Sequence, residues 1–236
     1  MLHPMDSSNP TRQALEAHGR PPLIPNRFRE AVYTVKDDVM PGNFAGELGQ
    51  WLYDNRDRFS RGGDDRGVSR FNHEAIDIDE HVPNHIMAPF KKMLIAETAD
   101  AANLEKLCVP EFDLRYVETH ATCYHHGSHF AWHDDAPSAQ QRIVESRRIT
   151  FCYYMHSEPK MFDGGGLEFL DGQIVEPVNN RLCLFHPIQQ HRVNKVECWS
   201  RSFLHGRWAL MGWVHGDAPE GWVDRIPKLR GKPAGG

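Results

Sequence analysis

Trp132-His133-Asp134-Asp135 decides how this chain is read. Within it, His133-x-Asp135 sets an imidazole and a carboxylate two positions apart. Residues i and i+2 of an extended segment project to the same side, so both reach one metal ion while Asp134 points away. A second imidazole completes a set of three protein ligands, and His191 stands well downstream to supply it. The pair alone is weak in a chain with 15 histidines: His215-Gly216-Asp217 has the same spacing, and no histidine follows it to complete a set.

The rival for the second imidazole is His186, which precedes Pro187 at a turn. His191 runs into Arg192-Val193, where a strand resumes, and is the expected ligand. Two imidazoles and one carboxylate leave the opposite face of the ion open, the arrangement that suits non-haem Fe(II) with room for a co-substrate and O2. His129 and His133 lie four apart, a spacing that would suit zinc on a helix. Phe130 and Trp132 carry strand periodicity instead, and Gly127 weakens any helix there. His125 and His126 read as loop residues at the rim, next to His120 in the same histidine-rich stretch.

Working outward, the C-terminal half is a series of short strands. Residues 112–122 begin with alternation, Phe112, Leu114 and Tyr116 against Asp113 and Arg115. Runs at 130–132, 148–155, 166–170, 181–185, 192–196 and 207–214 follow. Turn signals such as Asp163-Gly164-Gly165, Asp171-Gly172 and Asn179-Asn180 separate them. Many short strands with frequent turns predict a double-stranded β-helix, a cupin-like jelly roll. Upstream, residues 31–35 read as a strand and 61–70 as a Gly- and charge-rich loop. Residues 41–57 read as an amphipathic helix, with Phe44, Leu48, Trp51 and Leu52 on one face. A second helix is expected over 83–102, with Pro89 starting or kinking it. The fold class is α+β, mainly β, with supporting helices on one face of the sheet. The expected layout is a flexible tail over 1–25, one domain over 26–216 (support helices 41–102, core 110–215) and a C-terminal tail over 217–236.

Composition narrows the function classes. The formal net charge is −5, which makes duplex nucleic acid a poor partner. No apolar run approaches the roughly 18 residues that a membrane span needs, so no membrane partner and a cytoplasmic location are expected. The five cysteines, Cys108, Cys123, Cys152, Cys183 and Cys198, form no C-x-x-C pair and read as small buried hydrophobes, neither a disulfide frame nor a zinc site.

Five ordered segments carry a family resemblance. Tyr124-x-x-Gly127-x-x-Phe130-x-x-His133-x-Asp135 resembles the approach to the metal site of prolyl-4-hydroxylase-like Fe(II)/2-oxoglutarate-dependent dioxygenases. Arg148-Ile149-Thr150-Phe151-Cys152-Tyr153-Tyr154-Met155 is similar to that family's next core strand, and Gly164-Gly165-Gly166-Leu167 to its Gly-Gly-x-Leu turn. His191-x-Val193 resembles the distal ligand segment, and Arg207-Trp208-Ala209-Leu210-Met211-Gly212-Trp213 the last core strand, whose basic residue holds the co-substrate. The match spans roughly residues 110–215.

The resemblance implies Fe(II), 2-oxoglutarate as co-substrate, O2, and ascorbate as an optional stimulant. It implies a hydroxylase that releases succinate and CO2. The anchor for 2-oxoglutarate is expected to be Arg207, since a guanidinium grips a carboxylate with two parallel hydrogen bonds. Arg201 fits the family's shorter spacing from the distal histidine but falls in a lengthened loop, whereas Arg207 opens the last apolar strand. Tyr124 is a candidate for adding a hydroxyl to the same co-substrate. A halogenase of this fold would need Gly or Ala where Asp135 stands. A nucleic-acid dealkylase would carry a second arginine six residues past the co-substrate arginine, where Trp213 stands. A cupin-like binding domain without turnover is the non-enzymatic alternative. A small-molecule substrate, such as an amino acid or natural-product intermediate, is expected ahead of a protein side chain. Loops 60–72 and 136–147 are expected to form the lid. Oligomeric state is not legible.

Overall fold

The computed structural model of the chain describes residues 30–62, 70–79, 81–135 and 146–217. The expected N-terminal tail, the C-terminal tail past Asp217 and residues 136–145 of the expected lid lie outside them. Twelve strands are described: β1 (Tyr33–Lys36), β2 (Ser60–Gly62), β3 (Arg70–Asp77), β4 (Asp113–His133), β5 (Arg147–Met155), β6 (Phe162–Gly164), β7 (Leu167–Phe169), β8 (Ile174–Val175), β9 (Arg181–Phe185), β10 (His191–Val193), β11 (Val196–Cys198) and β12 (Arg207–Asp217). Three helices, α1 (Phe44–Asp54), α2 (Asn84–Ala99) and α3 (Ala101–Leu107), lie between β1 and β4 in the chain.

Ten strands form one antiparallel sheet in the order β1-β9-β5-β12-β4-β10-β7-β8, with β3 paired to β4 and β2 paired to β3. The sheet curls into a half-barrel of the jelly-roll kind, mostly β with few helices, as the strand pattern led one to expect. β6 and β11 pair separately.

β5 shows how one strand builds two layers. Ile149, Phe151, Tyr153 and Met155 point to the helices, and join Phe44, Leu48, Leu52, Phe90 and Leu94 in one core. Cys152 and Tyr154 point the other way, into a second core with Phe162, Phe169, Phe185 and Ala209. Both faces are covered, so the strand reads as a continuous apolar run. Phe90 is the keystone of the helix layer, with its ring 5.8 Å from Phe44, 5.3 Å from Tyr153 and 6.0 Å from Phe151. Burying such a side chain contributes about 1.5–3 kcal/mol, and each ring pair adds about 0.5–1.5 kcal/mol.

Several expectations change. Two strands flank the segment read as a loop: β2 (Ser60–Gly62) and β3 (Arg70–Asp77) pair with each other, so both flanks of the first expected lid loop belong to the sheet. α2 begins at Asn84, ahead of Pro89, which therefore does not start the helix. Near the N-terminus of a helix a proline removes only one backbone bond. α3 follows as a separate helix, capped by Asp100, whose carboxylate accepts from Asn103 N at 3.0 Å. Cys123, Cys152 and Cys183 are buried and reduced, as expected of small hydrophobes.

The runs read as two strands, 112–122 and 130–132, are one 21-residue strand, β4. His125 and His126 lie within it, not in a loop. Tyr124 faces His73 and His129 faces Phe71, so one residue of β3 stands opposite the four residues 125–128. That bulge uses the positive φ of Gly127 (84°) and a bond from His125 N to Ser128 Oγ at 3.0 Å. The bulge bends β4, and its two ends take different neighbours. Residues 113–124 pair with β12, and His133 pairs with β10.

Candidate metal and co-substrate site

The end of β4 makes the site. His133 and His191 are opposite partners on antiparallel neighbours β4 and β10, which turns a long sequence separation into direct adjacency. Their rings lie 4.1 Å apart, and Phe130 stacks on His133 at 3.7 Å. Asp135 follows just past the strand, with its backbone N–H donating to Pro187 O at 2.8 Å. The turn that carries His186 and Pro187 thereby fixes the carboxylate's position. Donor atoms of His133, Asp135 and His191 lie within 4.8 Å of one another. His133 Nε2 is 4.0 Å from Asp135 Oδ1, and His191 Nε2 is 3.8 Å from Asp135 Oδ2.

Each donor is oriented from behind. His133 Nδ1 stands 2.8 Å from Ala131 O, and His191 Nδ1 stands 2.8 Å from Gln189 O. A carbonyl only accepts, so each Nδ1 carries a proton and each Nε2 is the ring atom that faces the carboxylate and is placed to ligate. Thr150 donates its hydroxyl to Asp135 Oδ2 at 3.0 Å. Burial pushes the Asp135 carboxyl up, but the two imidazoles, Arg147 and the Thr150 hydroxyl outweigh it and hold the group below its ordinary value. A buried carboxylate held in its ionised form and two imidazoles whose Nε2 atoms face it form a donor set that fits Fe(II). His186 is buried too, but its Nδ1 accepts from Ile188 N at 3.2 Å inside the turn, and it is not in the triad. His129 sits on a strand, so the helical zinc pair does not form.

Arg207 opens β12 opposite Tyr124 on β4 and is buried. Its guanidinium lies between the rings of Tyr124 and Tyr154, 5.1 and 4.9 Å from their centres. Nε donates to Gly165 O at 2.8 Å. Gly165 has φ +71°, which strains any other side chain, and a Cβ there would crowd Arg207 Cδ at 3.0 Å. Arg207 Nη2 is buried with no hydrogen-bond partner among the described residues, and the buried Tyr154 hydroxyl has only the Cys152 thiol beside it. Burial pushes the Tyr154 phenol well above its ordinary value, so it keeps its proton and donates. A buried guanidinium N–H without a partner, near a phenol that has only a weakly accepting thiol, calls for an acceptor such as a carboxylate. Arg201, by contrast, is exposed on the loop before β12.

Arg207, Tyr124, Thr122, His133, His191, Thr150 and Cys152 line a single cavity of about 190 Å³. Glu118, His120, Arg147, Met211 and Trp213 line it too. Cys152 is held as a neutral thiol, since burial pushes its pKa up to about 12. Sequence reading missed Tyr154, Thr150, Arg147 and Glu118. The signal for the first two was present: alternation along β5 sets Thr150, Cys152 and Tyr154 on one face. For Arg147 and Glu118 only the fold reveals the meeting.

Comparison with known proteins agrees with this geometry. Residues 119–215 match the model of the 2OG-Fe(II) oxygenase superfamily. An uncharacterized PKHD-type hydroxylase of Synechocystis sp. is 32% identical over 124 residues, covering 47% of this chain. The alignment spans only 40% of the length of that relative. A Pseudomonas putida prolyl-4-hydroxylase superposes with a TM-score of 0.57 at 18% identity, over 80% of this chain and 94% of that one. A Trichoplax adhaerens prolyl hydroxylase, solved with a hypoxia inducible factor peptide fragment, gives 0.55 at 16% identity, over 86% and 88%. These two likenesses bear on the fold. No described helix is long and apolar enough to cross a membrane.

Proposed function

We propose that this chain, whose residues 119–215 match the 2OG-Fe(II) oxygenase superfamily, is an Fe(II)- and 2-oxoglutarate-dependent dioxygenase. It hydroxylates an unactivated C–H bond of a small molecule such as an amino acid or natural-product intermediate. One observation carries the reading: His133 and His191, which form a triad with Asp135, line the same cavity as a buried arginine whose Nη2 has no partner among the described residues.

His133, Asp135 and His191 would hold Fe(II), which with 2-oxoglutarate and O2 supplies the oxidation, giving hydroxylated product, succinate and CO2. The chain itself binds, orients and shields. Arg207 would receive the distal carboxylate of 2-oxoglutarate, with the Tyr154 hydroxyl and Tyr124 beside it. Carbonyls of Ala131 and Gln189 keep both imidazoles in the tautomer that ligates. Thr150 fixes Asp135. Phe130, Phe185, Leu167 and Val193 give the cavity apolar walls that exclude bulk water. Asp135 fills the position that a halogenase leaves open, and Trp213 stands where a nucleic-acid dealkylase has its second arginine.

A protein side chain as substrate is the second reading, favoured by the likeness to a hydroxylase solved with a peptide bound. A panel of free amino acids, other small metabolites and proline-containing peptides separates the two, with succinate measured under air and with added Fe(II). A small molecule is expected to raise succinate release at least about 10-fold over the rate without substrate. Stimulation by peptides alone would transfer the assignment to the second reading. Absence of O2-dependent succinate under every condition would remove the enzyme reading.

A further inference from the structure

We propose that Glu118 is a specificity-determining residue that receives an ammonium group of the substrate, which makes the substrate class a small free amine. The inference rests on the oxygenase reading above and adds to it.

Position comes first. Alternation along β4 sets Tyr124, Thr122, His120 and Glu118 on the cavity face. Glu118 stands opposite Trp213, and Tyr124 opposite Arg207. Six strand positions separate those two partners on β12, roughly 20 Å at about 3.3 Å per residue. Glu118 therefore lies at the end of the cavity remote from the co-substrate anchor. The guanidinium of Arg147, stacked 3.3 Å over the Trp213 ring, reaches from Asp135 O (3.5 Å) to Glu118 Oε2 (3.9 Å). The carboxylate is thus one side chain's width from the metal ligands.

It is also held in place. His215 is fully buried and donates from Nε2 to Glu118 Oε2 at 3.1 Å. Its Nδ1 takes the Ser146 hydroxyl at 2.7 Å, and its ring stacks on Tyr116 at 4.2 Å. His120 Nε2 donates to Glu118 Oε1 at 2.9 Å. Burial pushes the Glu118 carboxyl up, but His120, His215 and Arg147 more than offset it, and its pKa falls to about 2. A half-buried charge is costly, and here a wholly buried imidazole is arranged to keep it.

The chemistry then selects the ligand. A carboxylate only accepts, and each oxygen has two lone-pair sites. One hydrogen bond uses each oxygen, so each keeps a second site. Glu118 is the only acid lining the cavity among the described residues. A cationic N–H donor makes the strongest bond to it, and neighbouring Arg147 suits a carboxylate or carbonyl on the same molecule.

The test pairs free L-amino acids with their Nα-acetyl derivatives. Binding to the Fe(II)- and 2-oxoglutarate-loaded protein is measured by calorimetry under nitrogen. The best free amine is expected to bind at least about 10-fold more tightly than its acetyl partner, because acetylation removes the charge. Glu118→Gln should erase that preference and raise the KM of the amine rather than that of 2-oxoglutarate, and Glu118→Asp should restore part of it. Equal affinity for both members of each pair, a preference that survives Glu118→Gln, or no binding by any amine overturns the proposal. Wild-type succinate release without any amine tests the oxygenase reading separately.

Discussion

Replacing His133, Asp135 or His191 by alanine is expected to lower O2-dependent succinate formation below about 1% of wild type while leaving the fold intact. Loss of an outer partner of a metal ligand already costs about 10–100-fold in affinity or activity, so loss of the ligand itself costs more. His133 and His191 face each other across β4 and β10, and removing either leaves one imidazole and one carboxylate, too few to hold the ion in place. Asp135 is different in kind. Its backbone bond to Pro187 survives the change, but the Thr150 hydroxyl loses its acceptor and the site loses its one negative ligand. Iron content by elemental analysis, succinate yield and circular dichroism together check the expectation. Full turnover by His191→Ala with loss in His186→Ala would assign the distal ligand to the turn instead of β10.

The second large effect belongs to Arg207. Removing it from its proposed role as the 2-oxoglutarate anchor would leave the co-substrate's carboxylate unpaired, a loss of about 2–5 kcal/mol. The KM for 2-oxoglutarate should then rise by roughly 30-fold or more. Arg207→Lys should recover little, because an ammonium cannot both donate to Gly165 O, as Nε does at 2.8 Å, and offer a fork to the ligand. Arg201→Ala should change the KM less than about twofold, as expected of an exposed surface charge. The reverse order of effects would move the anchor to the loop before β12.

What was legible in the sequence follows the range of the interaction. The apolar run of β5 and the turns at Gly164-Gly165 and Asn179-Asn180 are local, and they announce the strands that the structure contains. The triad was legible because His133 and Asp135 sit two apart and His191 heads its own strand. β3 was not, since Arg70–Asp77 alternates weakly and its pairing to β4 is long-range. The merger of two apparent strands into β4 depends on a four-residue bulge, which a glycine and a serine mimic as a loop in the sequence. Tyr154 was hidden inside an apolar run, where nothing local says that its ring would lie against the Arg207 guanidinium of the neighbouring strand. The Glu118, His215 and Ser146 contacts join residues of β4, of β12 and of the turn into β5, and only the pairing of β12 with both strands brings them together.

The central claim is that one cavity holds Fe(II) on His133, Asp135 and His191 and 2-oxoglutarate on Arg207. The usual divalent affinity order favours Ni, Cu and Zn over Fe(II) at such a site, so purified protein must first be stripped with chelator. The most direct measurement is then the visible absorption of the Fe(II)-loaded protein on adding 2-oxoglutarate under nitrogen. The account predicts a weak visible band that Arg207→Ala shifts to much higher 2-oxoglutarate concentration, and that O2 bleaches with release of succinate. A folded, iron-loaded protein that shows neither the band nor O2-dependent succinate would contradict it, and would leave a non-catalytic cupin-like binding domain as the better description.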